Sequence, residues 1–282
     1  MTYREAQRAG PIPARRVAGS ASSAVPAQER LDFETVARAG AMQTVACMRW
    51  GTLFPPDYVN RLFRGVMRNV SRPTRFIAFT DDATGLDPGV EARPIPPIRL
   101  PATGLGGSPW RKLALWSGDI GVAGDMLFLD LDVVVVGAID GFFDFEPGKF
   151  AIIRDWGSAG SGNSSVMRIP AGGAPHLIER FEAAPLEKRR LHSNEQVYLT
   201  RESGLPTAFW PESWCPGFKA MMLPRFPANL VKNVKLPVDA RFVVFTGHPR
   251  PHEAVQGVWP APWYKKPYKS LRPVTWLAEH WR

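Results

Sequence analysis

Cysteine is scarce in this sequence and a long uninterrupted apolar run is missing, and each absence excludes a class of protein. The two cysteines among 282 residues are Cys47 and Cys215, so a disulfide-rich secreted scaffold is not indicated, and we expect two reduced thiols in a cytoplasmic protein. The strongest apolar run, residues 126–139, is broken by Asp130 and Asp132 and is shorter than the roughly 20 residues of a membrane span. The N-terminal arginines precede no apolar segment, so a secretory signal is not predicted.

Acidic residues are fewer than basic ones, 26 against 35, which gives a net charge of +9. Such a protein attracts polyanions, including nucleic acids, anionic membranes and phosphorylated substrates. Residues 250–282 carry six Lys or Arg and two Glu, interleaved with six Trp or Tyr. This mixture suits peripheral contact with anionic headgroups at the inner face of a membrane, or aromatic side chains that pack back on the domain. No recognised nucleic-acid-binding motif is present, so a specific nucleic-acid partner is not predicted, although a non-enzymatic nucleic-acid-binding protein stays an alternative.

Three segments are predicted along the chain. Residues 1–40 are rich in Ala, Arg, Gly, Ser and Pro, which indicates a disordered or loosely packed extension. Residues 41–252 form the main domain, and residues 253–282 form the basic aromatic C-terminal segment. Strands are predicted at residues 44–48, 75–80, 90–94 and 125–129, with helices at 55–70 and 109–117, and later strands at 150–154, 164–168 and 242–245 with a helix at 175–183. This alternation predicts an α/β fold with a mixed, mostly parallel sheet flanked by helices, whose ligands bind at the carboxyl ends of strands.

The triplet Asp130-Leu131-Asp132 follows the buried strand predicted at residues 125–129. Alternate residues of an extended segment share a face, so both carboxylates should point the same way. A divalent cation with oxygen ligands would relieve their repulsion and leave open positions for a diphosphate. Alternatively, an Asp caps a turn, or the triplet belongs to a haloacid-dehalogenase-like phosphatase, in which the first Asp is a nucleophile and the second a general acid/base. That family carries its motif on the first strand, whereas at least two strands precede it here.

Three stretches, residues 108–116, 125–137 and 139–143, resemble those of the glycogenin-like and galactosyltransferase-like (family 8-type) GT-A glycosyltransferases. The resemblance extends in order over residues 43–252 and is specific around 108–145. It implies a GT-A type nucleotide-binding fold, a nucleotide-sugar donor that is usually a UDP-sugar, a Mn²⁺ (or Mg²⁺) cofactor, and retention of anomeric configuration. The implied reaction transfers a hexosyl group to the hydroxyl of a carbohydrate or lipid-linked acceptor, as in surface glycan or glycolipid synthesis.

The resemblance also implies roles for residues of the first half of the domain. Asp130 and Asp132 are implied metal ligands, with Leu131 between them at the donor. Lys112 is the implied lysine that reaches the donor sugar or phosphate; as a phosphate clamp it would also be catalytic. The loop residues Arg49, Trp50 and Gly51 are implied to hold the uridine, and Asp81 and Asp82 to meet the base. A Trp-Gly loop and an Asp-Asp turn are also common without ligands.

Two later segments depart from the family pattern. Asn163 and Ser164 resemble residues that line the sugar pocket. Gln196 follows Glu195, which replaces an Asp beside the anomeric carbon and is implied to be catalytic; alternatively, Glu195 simply begins a helix. In the closing loop, which includes Gly247 as a donor-binding residue, Val244 occupies the position of a histidine that binds the metal. His248 is therefore the candidate third ligand. Arg250 replaces a lysine that binds the diphosphate. These departures leave open an inactive family member.

Overall fold

The computed structural model describes residues 42–101, 108–157, 160–266 and 268–282. The extension predicted over residues 1–40 lies outside the described residues. Residues 40–282 belong to one compact unit.

The main sheet has seven strands in the order β3-β2-β1-β4-β7-β6-β8. Their bounds are β1 (Gln43–Arg49), β2 (Thr74–Thr80), β3 (Glu91–Arg93), β4 (Met126–Leu129), β6 (Phe150–Arg154), β7 (Gly162–Ile169) and β8 (Thr207–Phe209). All neighbouring pairs are parallel except those of β7, which is antiparallel to both β4 and β6. The mixed, mostly parallel sheet predicted from the alternation of elements is therefore confirmed, although β8 is not among the predicted strands.

Helices cover both faces of this sheet. They are α1 (Pro56–Arg68), α2 (Gly141–Asp144), α3 (Pro175–Ala183), α4 (Pro185–Leu191), α5 (Glu195–Glu202), α6 (Pro251–Gln256) and α7 (Thr275–His280), with a π-helix at Phe218–Met222 and 3-10 helices at Glu212–Trp214, Ala228–Leu230 and Trp263–Lys265. Side chains of β1 alternate between two cores, with Val45 on the side of α1 and Met48 on the side of α3. The helix predicted at residues 109–117 is a 3-10 helix, Pro109–Trp116, whose start is capped by Ser108.

A second, two-stranded sheet connects the middle of the chain to its late part. β5 (Val133–Val135) pairs antiparallel with β9 (Phe242–Val244). The Phe245 amide then donates to the carbonyl of Asp132 at 3.3 Å. The closing loop predicted from the family resemblance therefore starts beside the acidic triplet.

The C-terminal segment packs partly on the domain. Its expected start at residue 253 falls within α6, and Leu271, Val274, Leu277 and Trp281 are buried in the core of the α1 side. Trp263, Tyr264 and Tyr268 remain exposed. Among the described residues, every helix is too short or too polar to cross a bilayer.

Candidate functional site

The acidic triplet lies in a turn at the end of β4. The Asp130 amide donates to Ser165 of β7 at 2.8 Å, and the Val133 amide donates back to the Asp130 carbonyl at 3.2 Å. The expectation of an extended triplet is therefore wrong, because the backbone makes a turn between Asp130 and Val133, before β5 starts. The two carboxylates are nevertheless neighbours electrostatically: burial, and then Asp130, raise the pKa of Asp132 to about 7.

A buried cation lies against this pair. Lys112, on the 3-10 helix, places Nζ 2.7 Å from the Asp130 carboxylate and 3.2 Å from Ser164 Oγ. Burial lowers the pKa of Lys112, but Asp130 and then Glu195 offset this effect and hold the pKa above its ordinary value. The site therefore contains one fixed positive charge, oriented by the helix that Ser108 and Pro109 begin.

Glu195 lies beside Lys112 and Ser164, on the side of β7. Glu195 is the first residue of α5, which Asn194 caps through a bond from the Val197 amide at 3.0 Å, as the alternative interpretation predicted. Its buried carboxylate also accepts from Ser164 Oγ at 2.8 Å and lies 3.7 Å from Lys112 Nζ. Glu195 therefore both begins α5 and contacts the site through Ser164 and Lys112.

Two further predicted side chains act on the backbone of β7. The Gln196 side chain accepts from the Ser164 amide at 3.3 Å, and the Asn163 side chain accepts from the Ser165 amide at 3.0 Å. Both contacts fix the strand beside Asp130, whose own amide bonds to Ser165.

The loop after β1 is tied to the loop after β2 by two of the predicted nucleotide-site residues. The buried Arg49 guanidinium donates to the carbonyls of Phe54 at 3.0 Å and of Asp82 at 2.7 Å. The Asp81 carboxylate accepts from the Gly51 amide at 3.0 Å. These side chains bind protein backbone and thereby set the shape of the loop, while Trp50 and its neighbours line the cavity.

A pocket of about 520 Å³ lies between the loop after β1, the 3-10 helix and the acidic triplet. It is lined by loop residues Met48, Trp50, Gly51, Thr52, Leu53 and Phe54, by Pro109 and Lys112, and by Asp130, Leu131 and Asp132. The pocket lies at the carboxyl ends of β1 and β4, where ligands bind in open α/β sheets. The aromatic and apolar loop on one side suits a ligand with a flat ring, and the other side presents one ammonium and two carboxylates.

The closing loop holds the three remaining predicted residues, Gly247, His248 and Arg250. Its turn uses Gly247, whose φ of 67° favours glycine. His248 Nδ1 lies 2.8 Å from Glu253, and Val244 pairs with Val133 in the second sheet. Arg250 lies 4.9 Å from the Phe54 ring and donates to the Leu53 carbonyl at 3.4 Å.

His248 is not brought together with the acidic pair in a metal-binding cluster. Within the described ranges, no group of three or more His, Cys, Asp and Glu side chains could hold a metal ion. Two carboxylates are therefore what the protein itself offers at the end of β4.

The structure adds site residues that sequence reasoning missed. Phe54 and Pro109 line the pocket, and the Phe54 ring lies against the Arg250 guanidinium. Lys219, on the π-helix, has a pKa lowered by burial and by Lys269, while Asp132 acts in the opposite direction, so the charges of Lys219 and Asp132 interact. Periodicity within the segment around Lys219 carries no signal of this placement, which depends on the pairing of β9 with β5.

Comparison with known proteins identifies the fold. No protein-family model and no curated protein sequence matches this chain. Among solved structures, the galactosyltransferase LgtC in complex with donor and acceptor sugar analogues is similar, with a TM-score of 0.51 and 12% identity over 74% of this chain and 89% of that chain. The glycosyltransferase GlyE of Streptococcus pneumoniae TIGR4 has a TM-score of 0.52 and 13% identity over 74% of this chain and 56% of that chain. The chain therefore has the GT-A type fold of these glycosyltransferases.

Proposed function

We propose that this protein is a glycosyltransferase that moves a hexosyl group from a nucleotide-diphosphate sugar, with UDP as the nucleotide, to the hydroxyl of a carbohydrate or lipid-linked acceptor. The observation that carries the proposal is the pocket in which Asp130, Asp132 and buried Lys112 face the loop after β1. A nucleotide diphosphate needs a surface for its base and positive charge for its phosphates. The loop after β1 would supply the surface, and Lys112 together with a cation held by Asp130 and Asp132 would supply the charge. The similarity in fold to LgtC and GlyE supports the same assignment.

A divalent cation, Mn²⁺ or Mg²⁺, fits the donor set of Asp130 and Asp132. Burial and Asp130 disfavour the charged form of Asp132, and a cation beside it would reverse that penalty. Two carboxylates leave the other positions of a hard cation to diphosphate oxygens and water, an arrangement common for Mg²⁺. When bound, the ion would supply positive charge for the departing diphosphate.

His248 is proposed as a third ligand only in a rearranged loop. Its Nδ1 is engaged by Glu253 at 2.8 Å, so metal binding through that nitrogen would require this contact to break. Metal affinity of His248→Ala tests the point: a loss of about tenfold or more would support ligation, whereas an unchanged affinity would assign His248 to the Glu253 contact alone.

Lys112 and Arg250 are proposed to stabilise the leaving diphosphate from two sides. Lys112 is held by Asp130 and Ser164, so its charge needs no reorganisation when negative charge develops on the leaving oxygen. Arg250 lies on the closing loop against Phe54 and presents a planar fork that suits phosphate oxygens. The two cations would therefore stabilise the additional negative charge on the leaving diphosphate in the transition state more than the charge of the bound nucleotide sugar.

Glu195 is proposed to orient the reacting sugar, with the anomeric configuration retained. Its carboxylate already accepts from Ser164 and lies near Lys112, which favours a fixed acceptor of hydroxyl hydrogen bonds over a mobile base. Retention would then proceed by attack on the same face, with the diphosphate taking the acceptor proton. Mass spectrometry of the enzyme with donor alone tests the covalent alternative, since a glycosyl adduct on Glu195 would contradict this role.

The experiment that tests the function is hydrolysis and transfer from a panel of nucleotide sugars, with Mn²⁺, with Mg²⁺ and with chelator. We expect nucleotide diphosphate release only with a divalent cation, and a decrease of roughly a hundredfold or more in Asp130→Asn. Asp119→Asn, an exposed carboxylate, is the matched control and should keep full turnover. Metal-independent release, or equal turnover in Asp130→Asn, would contradict the proposal.

A further inference from the structure

Ser164 lies between two groups of opposite charge in the candidate site. Its Oγ is 3.2 Å from Lys112 Nζ and 2.8 Å from the Glu195 carboxylate. An ammonium can only donate and an ionised carboxylate can only accept, so the direction of both hydrogen bonds is fixed. The Ser164 hydroxyl accepts from Lys112 and donates to Glu195, and it therefore links the two charges while keeping them apart.

Two carboxylates compete for the Lys112 ammonium. The Asp130 carboxylate holds it at 2.7 Å, whereas the Glu195 carboxylate lies 3.7 Å away, beyond the range of a direct hydrogen bond. Glu195 is the more deeply buried of the two, with its side chain 4% exposed against 21% for Asp130. A buried carboxylate requires hydrogen-bond donors, and Ser164 supplies one. The hydroxyl therefore satisfies Glu195 and leaves the ammonium beside Asp130.

The position of Ser164 is fixed by the strand that carries it. β7 lies inside the sheet between β4 and β6, and the Ser164 amide donates to the Gln196 side chain at 3.3 Å. One residue on, the Ser165 carbonyl accepts from the Asp130 amide at 2.8 Å. Ser164 is 1% exposed, whereas Lys112 and Asp130 line the pocket. The hydroxyl therefore acts on a ligand through its partners rather than by contact.

We propose that Ser164 is a positioning residue that keeps the Lys112 ammonium at the pocket, next to Asp130. Without the hydroxyl, the Glu195 carboxylate would lose a hydrogen-bond donor, and the ammonium 3.7 Å away would replace it. A contact between an ammonium and a carboxylate is about 2.8 Å long, so Lys112 Nζ would move about 1 Å toward the buried Glu195. A fixed charge stabilises a transition state only where it is already in position when negative charge develops.

The kinetic consequence rests on the proposed function, in which Lys112 stabilises the leaving diphosphate. A displacement of about 1 Å can lower a rate about a hundredfold. We therefore expect Ser164→Ala to lower kcat for nucleotide diphosphate release roughly tenfold to a hundredfold. KM for the donor should change less than about threefold, because the weakened interaction is made with charge that develops in the transition state.

A double-mutant cycle with Glu195→Gln separates positioning from packing. The glutamine is neutral, so it no longer competes with Asp130 for the ammonium. If Ser164 holds Lys112 against that competition, Ser164→Ala should change kcat less than about twofold when Glu195→Gln is already present. Any direct effect of Glu195 on the reaction cancels in this comparison. If Ser164 only fills space in β7, the substitution should lower kcat by the same factor with and without Glu195→Gln, and that result would overturn the proposal.

Ser203→Ala is the matched control. Ser203 follows the last residue of α5, the helix that Glu195 begins, and it is buried like Ser164. Its hydroxyl accepts from the Leu205 amide at 3.4 Å. The variant therefore removes a buried, hydrogen-bonded hydroxyl at the other end of the same helix, and it should keep the wild-type kcat. A loss equal to that of Ser164→Ala would assign the effect to the stability of α5 and contradict the positioning role.

A crystal structure of the Ser164→Ala variant without donor tests the displacement independently of turnover. We expect Lys112 Nζ within about 3 Å of the Glu195 carboxylate. An ammonium that stays beside Asp130, with water in place of the hydroxyl, would overturn the proposal. A displaced ammonium in a protein whose wild type releases no nucleotide diphosphate would contradict the proposed function alone. Release by the wild type with an unchanged kcat in Ser164→Ala would contradict the positioning role alone.

Discussion

The Lys112 ammonium lies 2.7 Å from the Asp130 carboxylate, so a buried cation contacts one member of the acidic pair. Removal of this cation would leave the half-buried carboxylate of Asp130 and the buried carboxylate of Glu195 without their shared partner. An uncompensated buried charge is costly, and the loss of a fixed positive charge also removes transition-state stabilisation.

We therefore expect Lys112→Met to lower kcat by roughly a hundredfold to a thousandfold and the free energy of unfolding by about 3–5 kcal/mol. Lys149→Met is the control, because Lys149 forms an exposed ion pair with Glu146, worth less than about 1 kcal/mol. Initial rates and urea unfolding measure both effects. Wild-type turnover in a folded Lys112→Met protein would remove Lys112 from the catalytic proposal.

The stability of the metal-free protein should depend on pH through Asp132. Burial and Asp130 raise the pKa of Asp132 from 3.8 to about 7, so between those values the folded chain keeps a proton that the unfolded chain has lost. The contribution of Asp132 is therefore fully present below about pH 4 and is lost as the pH rises through about 7. In chelator, the free energy of unfolding should fall from pH 5 to pH 8 more steeply in the wild type than in Asp132→Asn. Parallel curves would contradict the raised pKa.

Local sequence patterns predict the frame of the site because its parts lie where single elements end. β1, β2 and β4 are short β-prone runs with predicted site residues at their carboxyl ends, so parallel pairing alone brings the loop after β1 and the triplet to one edge. Lys112 follows a Ser-Pro helix start that is readable from sequence. These features need no knowledge of distant contacts.

The rest of the site depends on long-range contacts that carry no local signal. Arg250 reaches Phe54 across almost 200 residues of chain, because β9 pairs with β5 and brings the closing loop to the pocket. Lys219 belongs to a π-helix with no amphipathic period that would place it. The turn at Leu131 could not be predicted from the sequence either, because the apolar run continues without interruption into β5. Only the hydrogen bond from the Val133 amide to the Asp130 carbonyl shows that the chain turns there.

Arg250 should act on the donor through its planar guanidinium as well as its charge. It lies over the Phe54 ring and beside the Leu53 carbonyl, and a lysine has neither the flat surface nor the fork of donors. We expect Arg250→Met to lower kcat/KM for the nucleotide sugar by roughly tenfold to a hundredfold, with Arg250→Lys between it and the wild type. Steady-state kinetics with a single donor measures the series, and Arg189→Met, on exposed α4, is the control. Full recovery in Arg250→Lys would assign the effect to charge alone.

Arg168 of β7 should stabilise the fold around the site without taking part in catalysis. Its guanidinium is completely buried and donates to the carbonyls of Phe142, Phe145, Glu146 and Lys149 at 2.8, 2.6, 2.5 and 3.2 Å. Glu146 has a positive φ of 44°, a conformation that a glutamate rarely adopts without such support. The segment after α2 is therefore held in place by one side chain.

We expect Arg168→Met to lower the free energy of unfolding by about 3–5 kcal/mol, because several buried carbonyls lose their donor at once and Asp125 loses its ion-pair partner. Arg180→Met, which removes an exposed arginine with a 3.7 Å contact to Glu202, should change it by less than about 1 kcal/mol. Denaturant unfolding measures both variants, and turnover per folded molecule should stay at the wild-type value in each. A large loss of turnover in Arg168→Met at full folding would instead connect the segment after α2 to the site, and an unfolding free energy equal to that of Arg180→Met would show that water replaces the lost donor.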